Sequence, residues 1–300
     1  MSDREQPSVA AHYDAVADSY HQRYDPSKLR TAEKYPANYF RLQLLMESFA
    51  SRGIKRVIEV GVGEGTPLAT IAQAGIDVWG FDISEKMVER SKARMSEIGL
   101  DPGQIFWGDV RDPNTYADAL PHEAFDGLMA MGVMPHVEDD DEALDNMAAL
   151  VKPGGTVFIE FRNKLFSLFT FNRHTLEFVL DDLLADVGGA LKQIVAEELQ
   201  GRLRTDLPPI RATTEAGDAP GYDAILSKFH NPFEAEAFFA RHGFEQVKLL
   251  WYHYHPAIPM LESRAPQLFR DEAIALEHES SGWRGYFLCS AYVVEAVKSG

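Results

Sequence analysis

The chain has one cysteine, Cys289, in 300 residues. That excludes an internal disulfide and every zinc motif built on several thiolates. It also points to a reducing compartment, so a cytoplasmic location is expected. Basic residues are scarce: 29 Lys and Arg stand against 46 Asp and Glu, a formal net charge of −17. Such a field repels polyanions within a Debye length of ~8 Å, so neither nucleic acid nor an anionic membrane surface is expected as a partner. No apolar run approaches the ~20 residues that cross a bilayer. The polar start from Met1 to Ser8 lacks the basic-then-apolar order of a secretion signal. Solenoid-type repeats are absent too. What is present is a globular composition, 45% hydrophobic and 25% charged, enough for one enlarged domain or two small ones.

Residues 9 to 30 place Tyr13, Val16, Ala17 and Tyr20 on one helical face, and a second helix follows Pro36, burying Tyr39, Leu42, Leu45, Met46 and Phe49 and stopping at Gly53. From Arg56 the rhythm changes to short apolar run, turn and helix: RVIEV, a helix near 66 to 74, IDVWGF, a helix near 84 to 97, then QIFW. This alternation predicts parallel β-α-β units covered on both faces. Further strands are expected at 125 to 131 and 156 to 161, with a helix near 140 to 150 between them and a tight turn at Lys152-Pro153-Gly154-Gly155. After Phe161 the pattern breaks for a stretch far longer than the usual ~2–6-residue connection, which marks an insertion with a helix near 187 to 200. The α/β pattern resumes with a helix at NPFEAEAFFARHGF and the strand FEQVKLLWYHYH, and it ends in GYFLCSAYVVEAV, an expected antiparallel closing pair.

The sharpest local signal is Glu59-Val60-Gly61-Val62-Gly63-Glu64-Gly65, after a strand and before a helix. Glycines there let the backbone turn sharply and approach a ligand near the free N–H groups of a helix start. The next strand ends in Asp82, whose carboxylate can accept hydrogen bonds from two ribose hydroxyls, as in both NAD and adenosylmethionine enzymes. Three features separate these two. The glycines run G-x-G-x-G, and Thr66 stands where a dinucleotide fingerprint wants its third glycine. Glu59 would repel a pyrophosphate but favour an ammonium group. Gly108-Asp109-Val110 offers an acceptor for an exocyclic amine and an N–H for a ring nitrogen, which identifies adenine.

With VIEVGVGEGT, VWGFDIS, FWGDV, FDGLMAMGVMPHV and LVKPGGTVFIE in this order over residues 56 to 161, the sequence resembles the class I S-adenosylmethionine-dependent methyltransferase family. The resemblance implies an α/β, Rossmann-like, seven-stranded and mostly parallel sheet with an antiparallel last strand, and S-adenosylmethionine (SAM) lying over the strand carboxyl ends. It assigns Glu59, Gly61 and Gly63 to the methionine part of SAM, Asp82 to the ribose, Asp109 and Val110 to adenine, and Ile83 and Met87 to the flanks of the adenosine. Met131 and Gly132 would reach the methionine end. The pattern Tyr13-Asp14…Ala17…Tyr20 looks like the family's lid helix and would put Tyr20 near the cofactor, with core packing the alternative role. Relatives often read Leu-His-His where this chain has Met134-Pro135-His136. His136 is therefore the candidate general base, or else a histidine bonded to backbone that shapes its loop.

The segments divide as an N-terminal helical lid (1–53), the SAM-binding core (54–161), a large helical insertion forming a lid or substrate subdomain (162–229) and the completion of the core (230–300) with a flap at 253–284. Candidate acceptor residues lie in the insertions. Arg162 and Arg173 could grip a carboxylate or phosphate. Asn172 stands beside them, and His230 is a helix cap or a pocket base. Trp251, His253 and His255 are expected on one face of the sixth strand, with Tyr252 and Tyr254 on the other. No third ligand accompanies His253 and His255, so no metal is expected. The function expected is methyl transfer from SAM to a small molecule, at oxygen because several histidines could take a hydroxyl proton. A small-molecule N-methyltransferase, a NAD-linked oxidoreductase and a catalytically silent SAM-binding protein stand as alternatives.

Overall fold

The computed structural model describes residues 9–31, 35–214, 217 and 219–300. The polar start Met1 to Ser8 lies outside the described residues. A helix α1 (Val9–Val16) is followed by 3-10 turns at Ala17–Tyr24 and Pro26–Arg30, so the single helix expected over 9 to 30 is broken after Val16. Pro26 is placed at the start of the second turn, where its missing N–H costs nothing. Helix α2 (Ala37–Arg52) buries Leu42, Leu45 and Phe49 as its spacing predicts, and Gly53 ends it in the left-handed conformation.

The sheet comprises β1 (Arg56–Val60), β2 (Asp77–Asp82), β3 (Ile105–Trp107), β4 (Phe125–Ala130), β5 (Val151–Arg162), β6 (Phe244–Tyr254) and β7 (Cys289–Lys298), in the spatial order β3-β2-β1-β4-β5-β7-β6. Strands β1 to β5 are parallel, and β7 runs antiparallel to both β5 and β6. This is the seven-stranded Rossmann-like sheet expected. Lys152 to Gly155 is not a turn before β5 but a bulge inside it, where the pairing jumps from Phe125↔Val151 to Gly127↔Thr156. The last strand likewise starts later than expected, because Gly285–Leu288 forms a short helix.

Helices α3 (Thr66–Gln73), α4 (Glu85–Glu97) and α5 (Asp140–Leu150) follow β1, β2 and β4. The insertion holds α6 (Ser167–Thr170), α7 (Arg173–Glu177) and α8 (Gly189–Gln200); α9 (Ala235–Arg241), α10 (Pro266–Leu276) and α11 (Gly285–Leu288) complete the chain. Neighbouring strand residues fall into different cores, as the two-residue period of a strand requires. Val57, Met129, Phe158 and Val293 pack with α2, α3 and α4, whereas Ile58, Leu128, Val157 and Val294 pack with α5 and α9. Both faces are covered, which is why the central strands are apolar throughout.

The insertion leaves β5 at Arg162 and returns beside it. The N–H of His230 donates to the Arg162 carbonyl at 2.8 Å and that of Lys164 to the His230 carbonyl at 3.0 Å. Residues 220–228 are thereby carried over the carboxyl ends of β4 and β5. No helix among the described residues is long and apolar enough to cross a membrane.

Candidate active site

The strand order reverses between β1 and β4, and the crevice at such a switch point is where open α/β sheets bind ligands. A cleft of about 340 Å³ lies there. Its floor is the turn after β1. Gly61 and Val62 both donate their N–H to the Phe81 carbonyl, at 2.9 and 3.0 Å, and Gly63 donates to Asp82 Oδ2 at 2.8 Å. Gly61 has φ of 75°, and a Cβ there would come within 2.7 Å of a Val133 methyl, so only glycine fits.

Every residue expected to hold the donor lines this cleft: Tyr20, Glu59, Gly61, Gly63, Asp82, Ile83, Met87, Asp109, Val110, Met131 and Gly132. His136 lines it as well. Glu59 is 2% exposed, and its Oε2 has no hydrogen-bond partner among the described residues. Burial raises its carboxyl well above the usual range, with Asp82 and Glu64 adding repulsion and Arg41 opposing. A buried oxygen left unpaired is costly unless a ligand supplies the donor, and an ammonium group would do so.

Asp82 has both oxygens engaged by the loop it organises, Oδ2 by Gly63 and Oδ1 by the Ser84 N–H at 2.9 Å. Each oxygen keeps capacity for a further hydroxyl donor. Burial pushes its carboxyl up to about 6, against the pull of these backbone donors. The Asp109 carboxylate is gripped by Arg111, with Nη2 to Oδ2 at 2.6 Å and Nε to Oδ1 at 2.9 Å. An adenine amine would share that carboxylate with the guanidinium. Arg111 also lines the cleft and was not singled out in the sequence.

The roof is made from two distant stretches. In α1, His12 Nδ1 pairs with the Pro220 carbonyl at 2.8 Å, and the Tyr13 hydroxyl meets His136 Nε2 at 3.0 Å. On the other side His136 Nδ1 lies 2.7 Å from the Leu226 carbonyl. A carbonyl can only accept, so Nδ1 carries the proton. Nε2 then accepts from the Tyr13 phenol with its one lone pair. Burial pushes His136 down to about 4, with the Arg162 charge adding to the effect, so the imidazole is neutral at pH 7. Tyr13, Tyr24 and Leu226 are cleft residues that the sequence reading missed as ligand contacts. Tyr24 accepts from Arg41 Nη2 at 2.9 Å, and Arg41 is itself buried against Glu160.

The residues expected to bind the acceptor do not form one group. Arg162 lies near the dyad: its Nη1 donates to Ser227 Oγ at 2.6 Å and its guanidinium sits 4.2 Å from the Tyr222 ring centre. Asn172 caps α7, and Arg173 is tied to the Pro208 carbonyl, Glu177 and Asp223 within the insertion. His230 is not the helix cap, since the Asn231 side chain accepts from Phe233 N–H; His230 Nε2 pairs instead with Asp140 at 3.1 Å in a separate cavity.

The expected alternation along β6 fails at its end. His253 has φ of 58°, which rotates the chain so that Tyr254 joins Trp251 in one core while His253 stacks on Tyr35, 5.9 Å away on the α2 side. Tyr254 is 1% exposed and bonded to the Glu279 carbonyl, and the His253 and His255 rings lie 4.8 Å apart. None of these three lines the cleft. Among the described residues no group of three or more His, Cys, Asp or Glu is placed to hold a metal.

Fold and cleft together define a doubly wound α/β protein with an open cleft over its strand ends. Residues 57–155 match a family model described as a methyltransferase domain. That match covers a third of the chain and is consistent with the resemblance of residues 56 to 161 to the class I S-adenosylmethionine-dependent methyltransferases, with SAM as the donor. A ubiquinone biosynthesis O-methyltransferase of Azoarcus sp. (strain BH72) is 32% identical over 146 residues, 48% of this chain and 60% of that protein. The protein of the same name from Methylococcus capsulatus is 30% identical over 145 residues, 48% of this chain and 58% of that one. The chain thus spans little more than half the length of these curated relatives. A chain in the solved complex between the Haloferax volcanii Trm112 methyltransferase activator and the putative methyltransferase shares the fold. The two are 17% identical with a TM-score of 0.52, covering 98% of this chain and 100% of that chain.

Proposed function

We propose that this protein is a cytoplasmic SAM-dependent methyltransferase that methylates a hydroxyl of a small-molecule acceptor. The observation that carries this reading is the Tyr13–His136 pair, which closes the cleft above the donor loop and holds a neutral imidazole with Nε2 as acceptor. The residues present fit SAM: Glu59 would take the ammonium group, Asp82 the ribose, and Val110 with Asp109 the adenine. When bound, SAM supplies an electrophilic methyl whose carbon–sulfur bond breaks as the bond to the acceptor forms. The chain aligns the acceptor and covers it with α1 and residues 220–227, and His136 Nε2 takes the hydroxyl proton once the acceptor hydroxyl replaces the Tyr13 phenol at its one lone pair. The two roof stretches overhang a half-open cleft of about 340 Å³, which favours a small molecule as acceptor. The O-methyltransferase names of the relatives support oxygen as the methylated atom.

Calorimetric titration with SAM, S-adenosylhomocysteine (SAH) and NAD tests the donor: binding of the first two and not of NAD is expected, and the reverse would overturn the reading. Mass spectrometry of products from a panel of small phenols and amines tests the acceptor atom. Methylation confined to nitrogen would overturn oxygen as the target.

A further inference from the structure

Arg162 ends β5 behind the Tyr13–His136 pair that roofs the cleft. Its guanidinium lies 4.2 Å from the Tyr222 ring centre, and that ring sits 5.8 Å from the His136 imidazole. Its charge bears on both Tyr13 and His136. Burial opposes the charge, yet a guanidinium does not give up its proton. Its hydrogen bond is to the neutral Ser227 hydroxyl, and no carboxylate among the described residues lies within ion-pair distance. Arg41 shows what balance looks like elsewhere in the same protein: more deeply buried, it is paired with Glu160 and Tyr24. Glu160, two residues before Arg162, is therefore already taken. A half-buried guanidinium without a counter-ion is only partly compensated in the free protein, and most of the five donors of its fork make no hydrogen bond to the described residues.

We infer that the methyl acceptor carries an anionic group, a carboxylate or a phosphate monoester, and that Arg162 binds it beside the Tyr13–His136 pair. This rests on the methyltransferase reading above. Planar, bidentate recognition of an oxyanion is what a guanidinium does best, and this one rests against the Tyr222 ring. Burial is the main cause of the low His136 value, and an anion bound here offsets the smaller share that comes from the Arg162 charge.

The test uses the full chain saturated with SAH and titrated calorimetrically with benzoate, phenyl phosphate and neutral benzamide. At least one anion should bind roughly tenfold or more tightly than benzamide. The tighter of the two anions tells carboxylate from phosphate. Arg162→Gln should abolish the preference, and Arg162→Lys should keep part of it, while SAH affinity stays the same in both. Unchanged SAH affinity also shows that the variants fold. Equal binding of benzamide and the anions, no anion binding, or a preference that survives Arg162→Gln would overturn the proposal alone. A wild-type chain that fails to bind SAH would overturn the methyltransferase reading and the proposal with it.

Discussion

The Tyr13 hydroxyl donates to Nε2 of His136 across 3.0 Å, joining residues 123 positions apart. The imidazole is thus held from both sides, by the phenol and by the Leu226 carbonyl. Replacing His136 by Ala should lower kcat by ~10²–10⁴, the usual contribution of a positioned base, with SAH affinity retained. Tyr13→Phe removes the orienting bond but leaves the base, so its effect on kcat should be smaller. Steady-state rates of SAH release measure both, and an unchanged kcat in His136→Ala would remove the histidine from the chemistry.

Glu59 presents an unpartnered buried oxygen to the donor cleft. Glu59→Gln keeps the shape and deletes the charge, so SAH should bind more weakly by ~1.5–3 kcal/mol, the range for a hydrogen bond to a charged group. Calorimetry reads the change directly. Equal affinity in the two proteins would mean the ammonium group sits elsewhere.

Donor binding should depend on pH through Asp82. Its carboxyl is raised from 3.8 to about 6 in the free protein, whereas ribose hydroxyls bind best to the anion. A carboxyl raised on folding contributes stability that is fully present below 3.8 and lost as pH rises through about 6. Ligand binding runs the other way: SAH affinity should plateau above about 6 and fall by up to roughly tenfold per pH unit below it, the slope of one linked proton. Titrations from pH 7.5 to 4.5 (~3 units around that value) test this, and Asp82→Asn should flatten the dependence.

The buried Arg41–Glu160 pair links α2, the turn bearing Tyr24, and β5. Removing one partner alone, as in Glu160→Gln, should destabilise the fold by ~3–5 kcal/mol because the remaining charge stays buried. Replacing both, Arg41→Met with Glu160→Leu, should cost less than either single change. Urea unfolding distinguishes these outcomes, and additive losses would show that the two charges act independently.

The parallel core was legible because each strand is covered on both faces and each turn carries its own punctuation; β1 to β4, α3 to α5 and the donor loop fall where periodicity and glycine place them. His253 was not legible. Alternation along a strand assumes extended backbone, and nothing in Trp251-Tyr252-His253-Tyr254 announces the left-handed residue that the Glu277 carboxylate accommodates by accepting from the N–H groups of both His253 and Tyr254. The roof was half legible. The helical face that marked Tyr20 also contains Tyr13, but the partner of Tyr13 is decided by how an irregular insertion returns to β5. That return is fixed by the bonds of His230 with Arg162 and Lys164, between residues with no local pattern in common.

Ser84 does three things at once. Its N–H binds Asp82, its hydroxyl accepts from Met87 to cap α4, and the same hydroxyl donates to Asp14 of α1. The tie that holds α1 down and the bond that orients the Asp82 carboxylate therefore meet in one residue. The lid helix and the donor loop are thus anchored together at a single serine at a helix start.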